Sequence, residues 1–243
     1  MKIAILQCDN VLEKFQPQFG NYPAMVQRMF EGVEPAPEFI VYNCREGQYP
    51  DDIQSHDCYI TTGSKASVYD DEAWIKRLIE FIRELDTAQS KLIGICFGHQ
   101  LIALARDGKV EKSTKGWGVG IASNEILSAP DWMEESPERL NILVSHQDQI
   151  TQLPEGAQVL AGTKFCPYFL VQWDEHFLSV QGHPEWHNEY SRTLIDDRRA
   201  IIPADTVEAG LSSLDQAPDN DLFTRWIVCF VGKWRVKPDV THS

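Results

Sequence analysis

Apolar positions change period several times along the chain, and each change marks an element. Lys2–Gln7 carries a short apolar run of strand length, and Glu38–Asn43, Asp57–Thr62 and Lys91–Ile95 repeat that pattern. Helical spacing fills the intervals: Tyr22–Gly32, Asp70–Asp86 and Phe97–Arg106. The Asp70–Asp86 segment is the clearest, with Trp74, Ile75, Leu78, Ile79, Ile82 and Leu85 recurring every three or four residues. Asp70, Asp71 and Glu72 put negative charge where a helix start favours it. Strand alternating with helix over the first 106 residues predicts an α/β fold, a parallel sheet with helices on both faces.

Beyond residue 106 the pattern changes. Lys109–Leu127 and Leu140–Gln181 hold short strand-like runs with few helical signals, which predicts an antiparallel extension of the sheet. Helices return after residue 187. Leu222, Trp226 and Phe230 repeat at four, as do Phe223, Ile227 and Val231, so the last helix is amphipathic and is expected to dock on its own core. A dimer face is the alternative use of that stripe. Ser212–Asp221 joins two helices and is the loosest segment. No repeat or linker divides the chain, so residues 1–243 read as one domain, with a C-terminal helical extension over about 204–235.

Charge narrows the partners. The chain has 22 Lys and Arg against 36 Asp and Glu, a formal net charge of −14. Such a surface repels phosphate backbones and anionic lipid, so nucleic acid and membrane partners are not expected. The N-terminus turns polar too early for a secretory signal, and no apolar run approaches the roughly 18 residues of a membrane helix. A cytoplasmic location follows as an expectation. The six cysteines form no CxxC pair, and no His/Cys/Asp/Glu spacing suggests a metal site. Neither a phosphate loop nor a dinucleotide fingerprint is present, so no cofactor is expected.

One cysteine stands apart. Gly94-Ile95-Cys96-Phe97-Gly98 places a thiol between glycines where a strand gives way to a helix. That is the pattern of a nucleophile elbow, in which a sharp turn presents the attacking atom. A helix start behind Cys96 favours its thiolate, and the Phe97 amide is free to donate to a developing oxyanion. A buried core thiol is the competing reading.

A nucleophile needs a base, and the base needs an orienter. His183 lies in Gln181-Gly182-His183-Pro184-Glu185, just after the apolar run Phe177–Val180. In extended backbone, residues two apart point the same way, so Glu185 can hold the imidazole of His183. Cys96, His183 and Glu185 thus make a candidate triad.

Gly-Ile-Cys-Phe-Gly-His-Gln followed 87 residues later by the His-Pro-Glu motif resembles the class I glutamine amidotransferase family. The resemblance runs from Lys2 to about Arg199. It implies a flavodoxin-like three-layer α/β/α fold, a mostly parallel central sheet, and a γ-glutamyl thioester formed on Cys96. It further implies an oxyanion loop at Gly63-Ser64 acting with Phe97, and substrate contacts from Gln100 and from Ser145-His146-Gln147-Asp148. A purely structural role is the alternative for His146. A related set of cysteine-elbow proteins carries histidine after the nucleophile, and Phe97 argues against that set.

Two departures from the family pattern bear on function. The family loop is usually Gly-Gly-Pro, and here it is Gly63-Ser64-Lys65, which keeps the amide donors, loses the φ restraint of proline and adds a cation at the mouth. The second is that these 243 residues hold no segment that reads as a synthetase able to consume ammonia. Three readings follow. The enzyme hydrolyses glutamine and passes ammonia to a separate synthetase subunit; it acts alone on γ-glutamyl peptides or conjugates; or it is an idle scaffold that binds a metabolite. Phe15, Phe19 and Tyr22, around the loop after the first strand, are candidates for one wall of the substrate pocket, or for an ordinary hydrophobic anchor of that loop.

Overall fold

The computed structural model describes residues 1–232 and the strand Arg235–Val236. The first half alternates as its sequence does. Strand β1 (Lys2–Gln7) is followed by a one-turn helix α1 (Gln16–Phe19), helix α2 (Tyr22–Met29), a short strand β2 (Val33–Glu34) and β3 (Glu38–Asn43). Next come β4 (Cys58–Thr61), α3 (Ala73–Thr87), β5 (Leu92–Ile95) and α4 (Phe97–Ala105). Helix α3 starts three residues later than the charge pattern suggests. The Asp70 carboxylate accepts from the Ser67 amide at 2.9 Å and shapes the turn before the helix instead.

The second half contributes β6 (Lys109–Lys112), β7 (Gly118–Ile126), β8 (Arg139–His146), β9 (Asp148–Gln152), β10 (Ala157–Gly162), β11 (Leu170–Trp173) and β12 (Phe177–Val180). Helices α5 (Asn188–Asp197), α6 (Ala204–Ser213) and α7 (Asn220–Val231) and strand β13 (Arg235–Val236) close the chain. The helical segment expected over about 204–235 is therefore α6 and α7. It stops at Val231, and Arg235–Val236 pairs with β2 as a strand. Lys233 and Trp234, also within that range, lie outside the described residues.

Nine strands form the main sheet in the order β3-β1-β4-β5-β12-β11-β10-β7-β8. The first five run parallel and the last four continue antiparallel. Two details differ from the sequence pattern. β12 falls in the stretch expected to be antiparallel, yet pairs parallel with β5 on one side and antiparallel with β11 on the other. β6 and β9 leave the sheet and form their own ribbon.

The inner parallel strands β1, β4, β5 and β12 are buried on both faces, as helices above and below require, while β3 at the edge stays partly exposed. In β1, Ile3 and Ile5 join one apolar cluster with Val26, Trp226 and Ile227, whereas Ala4 and Leu6 join another with Ile75, Leu78 and Leu101. The stripe on α7 is buried against this core, with Phe223, Trp226 and Ile227 fully covered. Among the described residues no helix is long and apolar enough to cross a membrane. The carboxyl ends of β1, β4, β5 and β12 all open on one edge, where ligands sit in open α/β sheets.

Candidate active site

The elbow is built by two glycines and a threonine. Cys96, between β5 and α4, has φ 48° and ψ −92°, a conformation that costs a non-glycine residue roughly 1–3 kcal/mol. A Cβ at position 98 would lie 1.7 Å from Thr61 Oγ1, and one at position 94 would lie 2.9 Å from the carbonyl carbon of Gly98. The strand, the turn and the helix start can pass this closely only without those side chains. Thr61 also accepts from the Ile95 amide at 3.1 Å, tying the ends of β4 and β5 together.

The same edge carries His183. The Cys96 amide donates to the Val180 carbonyl at 2.9 Å, so the ends of β5 and β12 are locked side by side. Three residues beyond Val180, the His183 amide donates to the Leu143 carbonyl at 2.7 Å. Its Nδ1 donates to Glu185 Oε1 at 2.8 Å, a carboxylate being able only to accept. Both side chains are buried. Burial by itself pushes the imidazole pKa down. The charge of a Cys96 thiolate, then that of Glu185, and hydrogen bonds to both outweigh it and lift His183 to about 9. Cys96, His183 and Glu185 stand in one chain of contacts.

Two further contacts fix the imidazole. Trp186 lies flat against it, ring centroids 3.5 Å apart and planes 7° from parallel. Gly63 approaches from β4; a Cβ there would sit 2.7 Å from His183 Cε1.

Gly63-Ser64-Lys65 forms the loop beyond β4, and Asp9 holds it. From the end of β1, Asp9 Oδ2 accepts from the Lys65 amide at 3.1 Å and from Ser64 Oγ at 3.4 Å. A proline at 65 would have no amide to give, so this anchor depends on the residue there not being proline. Phe97 is the first residue of α4, where backbone amides have no intrahelical partner, and its ring stacks on Trp74.

Gln100, Ser145, His146 and Gln147 all line the cavity of about 420 Å³ that contains Cys96 and His183, within the size range of small-ligand sites. Most of these side chains are already engaged. Gln100 Nε2 donates to the Asp148 carbonyl at 2.9 Å and to Gln181 Oε1 at 3.1 Å. Ser145 Oγ accepts from Arg198 Nη1 at 2.7 Å. His146 is buried, which pushes its pKa down to about 4, and the charge on His183 adds to the effect, so it is neutral near pH 7. Of the three aromatic residues considered for the pocket wall, only Tyr22 lines this cavity. Phe15 and Phe19 pack on the cluster that holds Tyr190. A larger cavity, about 610 Å³, shares His146 and Trp117 with the Cys96 cavity but is lined by neither Cys96 nor His183.

Four residues given no role in the sequence reading belong to the neighbourhood. Gln181 donates to Cys96 Sγ at 3.5 Å, and Trp186 stacks on His183; both adjoin the His-Pro-Glu motif, and proximity to it was their only signal. Asp9 and Arg198 arrive from β1 and α5 with no local signal at all. Elsewhere, Asp86, Asp174 and His176 bring three donors of metal-binding type together, but Arg106 lies against both carboxylates and makes the group an ion-pair network.

Comparison with known proteins defines the class. Residues 57–198 match the family model "Glutamine amidotransferase class-I", and the chain belongs to that family. It is an enzyme of the hydrolase type. Gamma-glutamyl peptidase 3 of Arabidopsis thaliana is 33% identical over 229 residues, covering 90% of each chain. The glutamine-hydrolysing GMP synthase of Bacillus velezensis is 36% identical over 138 residues, 56% of this chain but only 26% of that protein. In fold, a glutamine amidotransferase of Thermotoga maritima superposes with a TM-score of 0.74 at 17% identity, covering 96% of this chain and 98% of that one. These neighbours share the flavodoxin-like α/β architecture.

Proposed function

We propose that the protein hydrolyses γ-glutamyl amides through a Cys96–His183–Glu185 triad, and that its substrates are γ-glutamyl peptides or conjugates. The observation that carries the proposal is the run of contacts from the strained elbow thiol through His183 to a buried carboxylate.

The steps follow from the groups in place. The Cys96 thiolate attacks the γ-carbonyl carbon, forming a C–S bond and moving the π electrons onto oxygen. The amides of Phe97 and the Gly63-Ser64 loop donate to that oxyanion. Imidazolium His183 gives its proton to the departing nitrogen, the C–N bond breaks, and a γ-glutamyl thioester remains. Neutral His183 then takes a proton from water, which attacks the thioester; glutamate leaves and the thiolate–imidazolium pair returns. Glu185 holds the imidazole in one orientation and stabilises its positive form. Side chains and water supply every proton transfer.

A peptide substrate is favoured by the 90% mutual coverage with an Arabidopsis gamma-glutamyl peptidase. The match to part of a GMP synthase supports a second reading, in which glutamine is cleaved and a separate synthetase subunit takes the ammonia. Six unpaired thiols fit work in the reducing cytoplasm. Glutamate release from γ-glutamyl peptides and from glutamine, with Cys96→Ala as control, tests the proposal. Cys96-dependent turnover of peptides well above that of glutamine is the expected result. Slow turnover of glutamine alone would favour the second reading, and no turnover by a protein whose Cys96 resists alkylation would leave an idle scaffold.

A further inference from the structure

Charge in the Cys96 cavity runs against the charge of the chain. Acidic residues outnumber basic ones 36 to 22 overall, yet the cavity is lined by Lys65, Lys112 and Arg198 against one carboxylate, Asp148. His146, also in the lining, is held neutral by burial. The three cations come from three separate elements: the loop after β4, the end of β6, and the residue that caps α5.

Lys65 and Lys112 both line the cavity, on segments that are tied to each other. Ser67 Oγ donates to Asp148 Oδ2 at 2.6 Å, and Tyr69 donates to the other oxygen at 3.0 Å, so the loop carrying Lys65 is fastened to the ribbon carrying Lys112. In that ribbon Lys112 is the direct pairing partner of Asp148. Both oxygens of Asp148 are nevertheless taken by hydroxyls. Among the described residues Lys65 and Lys112 form no ion pair, whereas Lys14 and Lys76 elsewhere on the surface each find a carboxylate. Arg198 is tied to Ser145, toward α5. Two unpaired, exposed ammonium groups lining one cleft give it a positive potential that favours an entering anion.

We infer that Lys65 and Lys112 form a subsite for a carboxylate on the departing amine, so that the enzyme selects γ-glutamyl amino acids and peptides over uncharged γ-glutamyl amides. The inference rests on the hydrolase reading above. Glutamine has one carboxylate, on its α-carbon, and its leaving group is ammonia; a γ-glutamyl peptide brings a second carboxylate on the leaving side. The Asp9 anchor uses the Lys65 backbone and leaves its ammonium free for that role.

The test compares γ-glutamylglycine with γ-glutamylglycinamide, which differ on the leaving side only by that charge. Calorimetric binding to the Cys96→Ala protein gives a readout that does not depend on turnover. γ-Glutamylglycine should bind at least about tenfold more tightly, with the advantage shrinking as salt is raised. In a Cys96→Ala protein that also carries Lys65→Gln and Lys112→Gln, the ratio should fall below about twofold. Kinetics on the Cys96 enzyme should repeat the pattern in KM. A ratio near one before substitution, or one that survives loss of both lysines, overturns the subsite. Cys96-dependent turnover alongside that result would leave the hydrolase standing, whereas selective binding without turnover would retain the subsite and remove the hydrolase.

Discussion

The imidazole of His183 lies on the indole of Trp186 at a centroid separation of 3.5 Å, with the two planes only 7° apart. A desolvated cation over an indole face gains about 2 kcal/mol, so Trp186 favours the protonated form of the proposed base. Trp186→Leu should lower the His183 pKa by more than about one unit and shift the alkaline limb of kcat/KM to lower pH by the same amount. An unshifted limb with a lower melting temperature would make Trp186 a spacer only.

Charge on Cys96 raises the His183 pKa before Glu185 does. A raised histidine pKa means that the imidazolium survives up to about pH 9 and is lost above it, so leaving-group protonation should persist to that pH and fail beyond. In Cys96→Ala the thiolate is gone while burial continues to push downward. NMR titration of His183 should therefore give a clearly lower pKa in the variant. Equal values in the two proteins would mean that the thiolate does not act on the imidazole.

Glycines 63 and 98 should respond differently to the same substitution. At 98 the new Cβ meets Thr61 Oγ1 at 1.7 Å and Thr61 Cβ at 2.6 Å, against the end of a central strand. Gly98→Ala should fail to accumulate as folded protein. At 63 the clash is with the ring of His183, 2.7 Å away. Gly63→Ala should fold, but a displaced base costs at least about 100-fold in kcat. Soluble yield and thermal melting separate the two outcomes.

The parts of the fold legible in sequence were those with strong local periodicity. β1 and β3 begin and end where their apolar runs do, and α3 departs only at its start, where Asp70 serves a turn. β12 was harder to place. Its short, largely apolar run looks alike in parallel and antiparallel company, and only its position between β5 and β11 decides. Within the candidate site, Cys96, His183 and Glu185 could be proposed from sequence because each lies in a short motif whose spacing the chemistry constrains. Arg198 reaches Ser145 across 53 positions, and Asp9 reaches Lys65 across 56. Contacts of that separation are set by the sheet order and leave no trace in local pattern.

Asp9 yields a further test. Its carboxylate is the anchor of the loop that the mechanism assigns to the oxyanion, through the Lys65 amide and the Ser64 hydroxyl. Loss of hydrogen bonds to a charged group costs about 1.5–3 kcal/mol, much of it here as loop order. Asp9→Ala should lower kcat by about tenfold or more with a smaller change in KM, because the oxyanion develops only after substrate has bound. A matching rise in KM with kcat unchanged would assign Asp9 to substrate binding.

Two buried histidines predict how the fold responds to acid. His99 is fully enclosed behind the elbow, its Nδ1 within 2.8 Å of Ser179 Oγ, and burial pushes its pKa down to about 3. His146 is pushed down to about 4 for the same first reason. An unfolded histidine takes up its proton near pH 6.5, so between that pH and the folded values the unfolded chain binds more protons. Stability must then rise with pH through this window, and be lost as pH falls below about 6.5. At pH 5 the loss is about 2 kcal/mol for each histidine relative to pH 8. Urea midpoints at pH 8, 6.5 and 5 measure it, and His99→Gln should flatten the slope by roughly half. A midpoint independent of pH over this range would mean that water reaches these rings in the folded state, and that the elbow is less enclosed than its packing indicates.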